Sequence, residues 1–332
     1  MAKGFEKICK MNQANLKSYV ERRLRETHKD ITVADGFVYA QGAFPVLLIA
    51  HLDTVHETLP YLIKHSKDKN GNDVVSSPFG IGGDDRCGVY MIFQVLKKFN
   101  CSVLFCEDEE IGTVGAEKFT KHSISKGLKF NYIIEFDRKG NNDAVFYDCD
   151  NEDFEAFITK EFFKTNWGSY SDISVVAPHL GIAAVNLSCG YYNAHKKDEY
   201  VVIQEMETVI EQACKILERT TESDVFEYVE AKKYSGKWWD SCFGTSTFNY
   251  YGKGCYSNYD LYGYEDDVCV AETEYKAEEK YFLISYYNVY GEPMDCEVFA
   301  HSDVEAMGQF LINHPDVCYN SVIGIMVDDY YM

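Results

Sequence analysis

FPVLLIAHLDTVH, residues 44–56, decides how the rest of the chain is read. Its first seven residues are a short apolar run of the kind that forms a buried strand. The run ends in a histidine and an aspartate one residue apart. On a strand, positions i and i+2 face the same side, so His51 and Asp53 project together while Leu52 points away. A carboxylate beside an imidazole orients the ring and raises its basicity, as metal-ligating histidines usually require. The pair alone is weak support, because a strand that has merely reached water looks the same. Its meaning depends on what the other strand ends supply.

Composition narrows the classes first. At 332 residues, 46% hydrophobic and 26% charged, the chain reads as globular and soluble, long enough for two domains. No uninterrupted apolar stretch approaches a membrane span, and MAKGFEKICK lacks the apolar core of a signal peptide. A cytoplasmic protein without membrane contact is expected. The net charge of −21 argues against binding nucleic acid, since phosphate contact needs clustered Lys and Arg. None of the 12 cysteines forms a C-x-x-C pair, so reduced thiols are expected rather than a zinc ribbon or a disulfide framework. Residues 223–332 hold 20 Asp and Glu against 6 Lys, together with 16 of the 26 tyrosines. That shift places a boundary near ILERTTESD, with a main domain at 1–222 and an acidic, Tyr-rich extension at 223–332.

The first two-thirds alternates strand-like and helix-like segments. MNQANLKSYVERRL is an opening helix with Leu16, Val20 and Leu24 on one face, and ITVADGFVYAQG a pair of edge strands. KDKNGNDVV turns at Asn-Gly. DDRCGVYMIFQVLKKF is a helix headed by two acids. CSVLFCEDE, NYIIEFD and GIAAVNLSCG are further strands, with helices at NEDFEAFITKEFFKTN and VVIQEMETVIEQACKILERT. Such alternation predicts a three-layer α/β/α fold with a mainly parallel central sheet, whose ligands bind at the carboxyl ends of the strands.

Those ends carry ligand-type side chains. His51 and Asp53 follow the first run, and Asp84 and Asp85 head the next helix. Glu107 to Glu110 follow CSVLFC, Asp137 follows NYIIEF, and His195 follows the loop SCGYYNA. Singly, an acid at a helix start is usually a cap and an acidic run a solvated face. Five such ends together are harder to dismiss. Oxygen and imidazole donors without thiolate suit zinc, manganese or cobalt at a hydrolytic site.

HLDTV, GGDDRCG, DEEIGTVGA, EFD and GYYNAH, in that order, resemble the motif series of the co-catalytic dinuclear zinc peptidases. That clan includes peptidase T, carboxypeptidase G2 and single-domain bacterial aminopeptidases. The wording is closest to peptidase T, whose D-D-K-A-G is similar to DDRCG and whose G-Y-x-x-H-x-x-x-E-x-V is similar to GYYNAHKKDEYV. The resemblance spans about residues 12–220. It implies two zinc ions per chain, with manganese or cobalt as substitutes. His51 and Asp137 would hold one ion, Glu110 and His195 the other, and Asp84 would bridge them. Asp53 would orient His51, and Glu109 would be the general base. Adjacent residues in an extended segment point apart, which would let Glu109 and Glu110 serve separate tasks. Asp172 resembles the family's T-D motif near the substrate pocket, and Tyr191, Tyr192 and Asn193 are placed to line that pocket. Asp84 and Asp85 are open to exchange. Glu107 and Asp108 are read as strand-end acids without a role, and His56 as a surface side chain.

Many members of this clan carry an inserted domain of about a hundred residues. Here Asp137 and His195 are only 58 positions apart, so the main domain is expected to lack it. The extension reads as a loop-rich stretch, KWWDSCFGTSTFNYYGKGCYSNYDLYGYEDD, then a small α+β unit of strand KYFLISYY, strand MDCEVFA, helix SDVEAMGQFLIN and strand SVIGIMV. Its expected roles are to cover the active site, to recruit a protein partner or to mediate self-association, with simple packing against the main domain as the alternative. The function expected is hydrolysis of short peptides from the amino end. Alternatives are removal of an acyl group from an amino acid, or a non-catalytic binding protein on the same fold.

Overall fold

In the computed structural model the alternation of the sequence becomes layers. The structure describes residues 2–231, 280–287, 293–300, 310 and 322–327. The chain divides into two units, Met1–Leu261 and Tyr262–Met332. The strands of the first unit are β1 (Asp30–Ala34), β2 (Phe37–Gln41), β3 (Phe44–His51), β4 (Lys64–Lys67), β5 (Asp73–Ser76), β6 (Cys101–Cys106), β7 (Tyr132–Arg138), β8 (Asp143–Val145), β9 (Lys164–Asn166), β10 (Ala184–Ser188), β11 (Tyr191–Tyr192) and β12 (Tyr200–Val202). Its α-helices are α1 (Ala2–Cys9), α2 (Gln13–Leu24), α3 (Gly83–Val95), α4 (Val114–Lys121), α5 (Glu152–Thr159), α6 (Ile173–Leu180) and α7 (Ile203–Arg219).

Eight strands form one mixed sheet, ordered β1-β2-β6-β3-β7-β10-β8-β9. Its centre is parallel, β6 beside β3, β3 beside β7 and β7 beside β10, while β1, β2 and β8 run antiparallel to their inner neighbours. β3 shows why FPVLLIA is apolar throughout. Val46, Leu48 and Ala50 enter a core shared with α1, α2, α3, α5 and α7, whereas Leu47 and Ile49 enter a second core beneath α4 and α6. A strand covered on both faces has no polar side to show. Burial of Leu16, Val20 and Leu24 anchors α2 as its periodicity predicts. A second sheet, β11-β12-β5-β4, is built on the turn at Asn70-Gly71.

Some elements differ from expectation. Of the two strands expected as an edge pair, only β1 lies at an edge, because β2 is sandwiched between β1 and β6. The helix predicted to run to Asn166 stops at Thr159, and Lys164–Asn166 pairs in parallel with β8 instead. The free edge of β8 supplies those ladder bonds, and tertiary pairing overrides a weak local preference. Beyond α7, residues 224–231 stay with the first unit: Ala183 N donates to Phe226 O (3.0 Å) and Asp150 N to Val229 O (2.7 Å). Asp137 and His195 are separated only by β8, α5, β9, α6, β10 and β11. In the second unit β13 (Lys280–Tyr287) pairs antiparallel with both β14 (Pro293–Ala300) and β15 (Val322–Val327). The loop-rich stretch beginning KWWD and most of the predicted helix SDVEAMGQFLIN lie outside the described residues. Among the described residues no helix is long and apolar enough to cross a membrane, and the described cysteines are free thiols.

Candidate metal centre

The parallel strands end together, and their ends deliver the side chains. β3 terminates in His51, which is buried. Its Nδ1 is 3.1 Å from Asp53 Oδ1, so the aspartate holds the ring and leaves Nε2 facing inward. Asp53 does more than expected. Its two oxygens also accept the backbone N–H groups of Glu109 and Glu110, each at 3.0 Å. One carboxylate therefore fixes the imidazole and the loop that carries two further acids.

The two acids heading α3 separate by backbone geometry. Asp84 and Asp85 both have non-helical angles, and the peptide between them is cis. Asp85 Oδ1 accepts Gly88 N at 2.8 Å, an N-cap bond, and its Oδ2 accepts His51 N at 3.1 Å. Its oxygens are thus occupied by backbone, although its carboxylate lies within 4.8 Å of donor atoms of His51 and Asp137. Asp84 is the acid left to project. Its Oδ1 lies 2.9 Å from His51 Nε2 and its Oδ2 3.2 Å from His195 Nε2.

The acidic run after β6 is a turn, not an extended segment: Gly112 N and Thr113 N both donate to Glu109 O. Glu107 and Asp108 have work after all. Glu107 pairs with Lys17 of α2 and accepts Gly36 N, while Asp108 accepts Gln13 Nε2 at 2.8 Å. These contacts tie α2 to the turn. Glu110 Oε2 is 3.1 Å from His195 Nε2, and its Oε1 is buried without a hydrogen-bond partner. At the end of β7, Asp137 Oδ1 lies 3.4 Å from His51 Nε2, and Asn186 accepts its backbone N–H at 2.9 Å. Ser171 Oγ sits 3.0 Å from Asp137 Oδ2 and 2.7 Å from Glu135 Oε2. Asp172, next to it, is wholly buried, and both of its oxygens lack a hydrogen bond. It therefore stands among core groups rather than on an open pocket wall.

Of the aromatic pair before His195, strand alternation turns only one inward. Tyr191 is buried with its hydroxyl 3.4 Å from Asp137 Oδ1, whereas Tyr192 stacks on Tyr200 and donates to Glu205 of α7 at 2.5 Å. Asn193 is exposed and donates to Asp198 at 2.9 Å. Tyr192 and Asn193 thus point away from the cluster, and Tyr191 faces it. His51, Asp84, Glu110, Asp137 and His195 come together from five separate segments.

No protein-family model matches the sequence, and no curated protein does. Solved structures do match. The aminopeptidase PepT from Bacillus cereus superposes with a TM-score of 0.52, covering 65% of this chain and 97% of that one at 14% identity. A tripeptidase from Staphylococcus aureus gives a TM-score of 0.50, covering 65% of this chain and 96% of that one at 12% identity. The chain has this peptidase fold.

On the peptidase fold, electrostatics tests whether the residues suit metal ions. Burial pulls the His51 imidazole down, but Asp137, Asp53 and Asp84 outweigh it and raise the ring well above its usual range. Burial likewise opposes His195, and Asp84 and Glu110 raise it to about 11. Burial works against ionisation of Asp84, yet its contacts with His195 and His51 hold it below the ordinary carboxylate value. Asp137 is lifted to about 7 by burial and then by Asp84. Glu109 is driven well above its usual value by burial, with Asp137, Asp172 and Glu110 adding to it against His51. The raised values of Asp137 and Glu109 reflect acids crowded together away from water, while Asp84 is held low by the two imidazoles; His195 itself stands at the exposed side of the cluster. Two imidazoles and a set of carboxylates without thiolate, one carboxylate oxygen being buried and unpartnered, fit divalent cations.

Four supporting residues have no role in the sequence reading. Ser171 and Asn186 anchor Asp137. Arg86, fully buried, donates from Nη1 to the carbonyls of Leu52 and Asp53 at 2.7 and 2.8 Å. Glu199, also fully buried, accepts His56 Nε2 at 2.8 Å, so His56 is not a free surface side chain. Arg86 and Glu199 lie inside DDRCG and GYYNAHKKDEYV, and a charged residue embedded in each motif is the available signal.

Proposed function

We propose that the chain is a two-metal hydrolase that cleaves amide bonds of short peptides from the amino end, as an aminopeptidase. The observation that carries this reading is Asp84, whose two oxygens lie between the Nε2 atoms of His51 and His195 at 2.9 and 3.2 Å. His51 and Asp137 would hold one zinc ion, His195 and Glu110 the other, with Asp84 shared. When bound, such a pair supplies Lewis acidity for the scissile carbonyl and a water acidified toward neutrality.

The remaining chemistry belongs to the chain. Glu109 stands next to Glu110 on the turn held by Asp53, in a partly buried, acid-rich setting that raises its proton affinity. A carboxylate so poised takes a proton from the attacking water and passes it to the leaving amine. Asp53 keeps the His51 ring oriented and the Glu109–Glu110 turn in register. The peptidase fold favours a peptide over other amides as substrate.

Elemental mass spectrometry tests this on chain purified without chelator and re-equilibrated with dilute zinc. Two ions per chain and release of amino-terminal residues from di- and tripeptides are expected. Absence of tightly held metal refutes the proposal.

A further inference from the structure

Glu199 takes no part in the chemistry above, yet three donors converge on it. Its Oε1 accepts Asp84 N at 3.0 Å, and its Oε2 accepts Gly82 N at 2.7 Å and His56 Nε2 at 2.8 Å. A carboxylate only accepts, so the His56 ring carries its proton on Nε2. The three contacts reach three segments. His56 lies five residues beyond His51, Gly82 and Asp84 open α3, and Glu199 itself follows His195 by four. A single buried carboxylate thereby joins the loops that carry His51, Asp84 and His195.

The sequence makes room for this junction. Gly80 has φ +83°, and a Cβ there would lie 2.2 Å from the His56 ring. Only glycine lets the imidazole lie across that turn. Arg86 grips the backbone of Leu52 and Asp53 from α3, so the loop after β3 is held at both ends. Asp84 needs such support, because its angles of φ −81°, ψ 102° place it outside the helical ladder.

We propose that Glu199 is a positioning residue that sets Asp84 between the two imidazoles, through the Asp84 N–H and the His56 tether. The proposal rests on the two-ion reading of the cluster. A shared ligand must keep both oxygens in reach of two centres, so a small displacement of its backbone weakens the site without removing any donor.

The test is Glu199→Gln, with cobalt(II) titration of the metal-free chain followed by visible absorption, zinc stoichiometry over a buffered zinc series, and thermal midpoints with chelator. An amide loses at least one of these bonds whichever way it flips: nitrogen in place of Oε1 faces the Asp84 N–H, and nitrogen in place of Oε2 faces both the Gly82 N–H and the His56 ring. The wild type takes up two ions. The variant is expected to bind its weaker ion 10- to 100-fold less tightly, the range typical of groups that orient metal ligands. At limiting zinc its kcat falls, recovering in excess zinc, while KM is unchanged. His56→Phe keeps the ring volume over Gly80 and both backbone bonds but removes the tether. It serves if Glu199→Gln fails to fold, and a several-fold weakening is expected. Wild-type affinity in the folded Glu199→Gln chain, or in His56→Phe where that chain does not fold, overturns the positioning role, any loss in melting temperature then being structural. A wild type that binds fewer than two ions overturns the two-ion reading itself.

Discussion

Asp53→Asn is the sharpest single perturbation of the site, because one carboxylate serves three donors. Oδ1 faces His51 Nδ1 and Glu109 N, and Oδ2 faces Glu110 N. Asparagine has the same shape but one acceptor oxygen. If that oxygen keeps the first two donors, the amide nitrogen confronts the Glu110 N–H; if it flips, His51 and Glu109 lose their partner. At least one hydrogen bond to a charged group disappears, which costs about 1.5–3 kcal/mol. For a unit of this size a loss of about 2 kcal/mol lowers the melting temperature by roughly 4–8 °C. The carboxylate that makes His51 a better donor is also gone, so metal affinity should fall by about 10- to 100-fold. Calorimetry with chelator reads the first effect, and a buffered zinc titration the second. A variant with wild-type melting temperature and wild-type zinc affinity would refute the role given to Asp53.

Glu109→Gln should abolish peptide hydrolysis while leaving both ions bound, as read by turnover and metal content; full turnover would exclude Glu109 as the base. His195→Ala should leave one ion per chain, since Asp84 and Glu110 lose their shared imidazole, and elemental analysis counts it directly. Burial lifts the carboxyl of Asp172 to about 7 from the ordinary 3.8, so the folded chain holds that proton more tightly than the unfolded chain. The sign follows from linkage: its cost is absent below about pH 4, grows as pH rises toward 7, and is complete above it. The gap corresponds to on the order of 4 kcal/mol. Metal-free Asp172→Asn should therefore be more stable than wild type at pH 8, with the difference vanishing near pH 4. Chemical denaturation at the two pH values measures this, and a less stable variant at pH 8 would contradict it.

Much of the candidate site is legible because its proposed ligands sit where local patterns break. FPVLLIA and CSVLFC are almost wholly apolar and NYIIEF is interrupted by the buried Glu135, so the ionisable residues that follow each run mark a strand end. Histidines at 51 and 195 and acids at 84, 110 and 137 follow from that rule together with the motif wording. Asp84 and Asp85 show where the rule stops. Both are acids at a helix start, and only the backbone angles make one a cap and leave the other's carboxylate between the two imidazoles. Tyr191 and Tyr192 divide in the same way, by which face of a two-residue strand meets Asp137. KTN carries no strong local signal and becomes a strand because β8 offers an open edge.

The sequence by itself determines the main alternation of strands and helices, the double-sided burial of the central strands and the residue types at their ends. All three are encoded in neighbouring residues, through hydrophobic periodicity and its interruption. Tertiary structure alone decides which of those end residues meet, and which buried charges hold them. Lys17 reaching Glu107 across 90 positions, and Glu199 reaching Gly82 and Asp84 across more than a hundred, are contacts made by loops brought together at one rim of the sheet. No local pattern records them, because the free energy that fixes them arises only when the strands lie side by side.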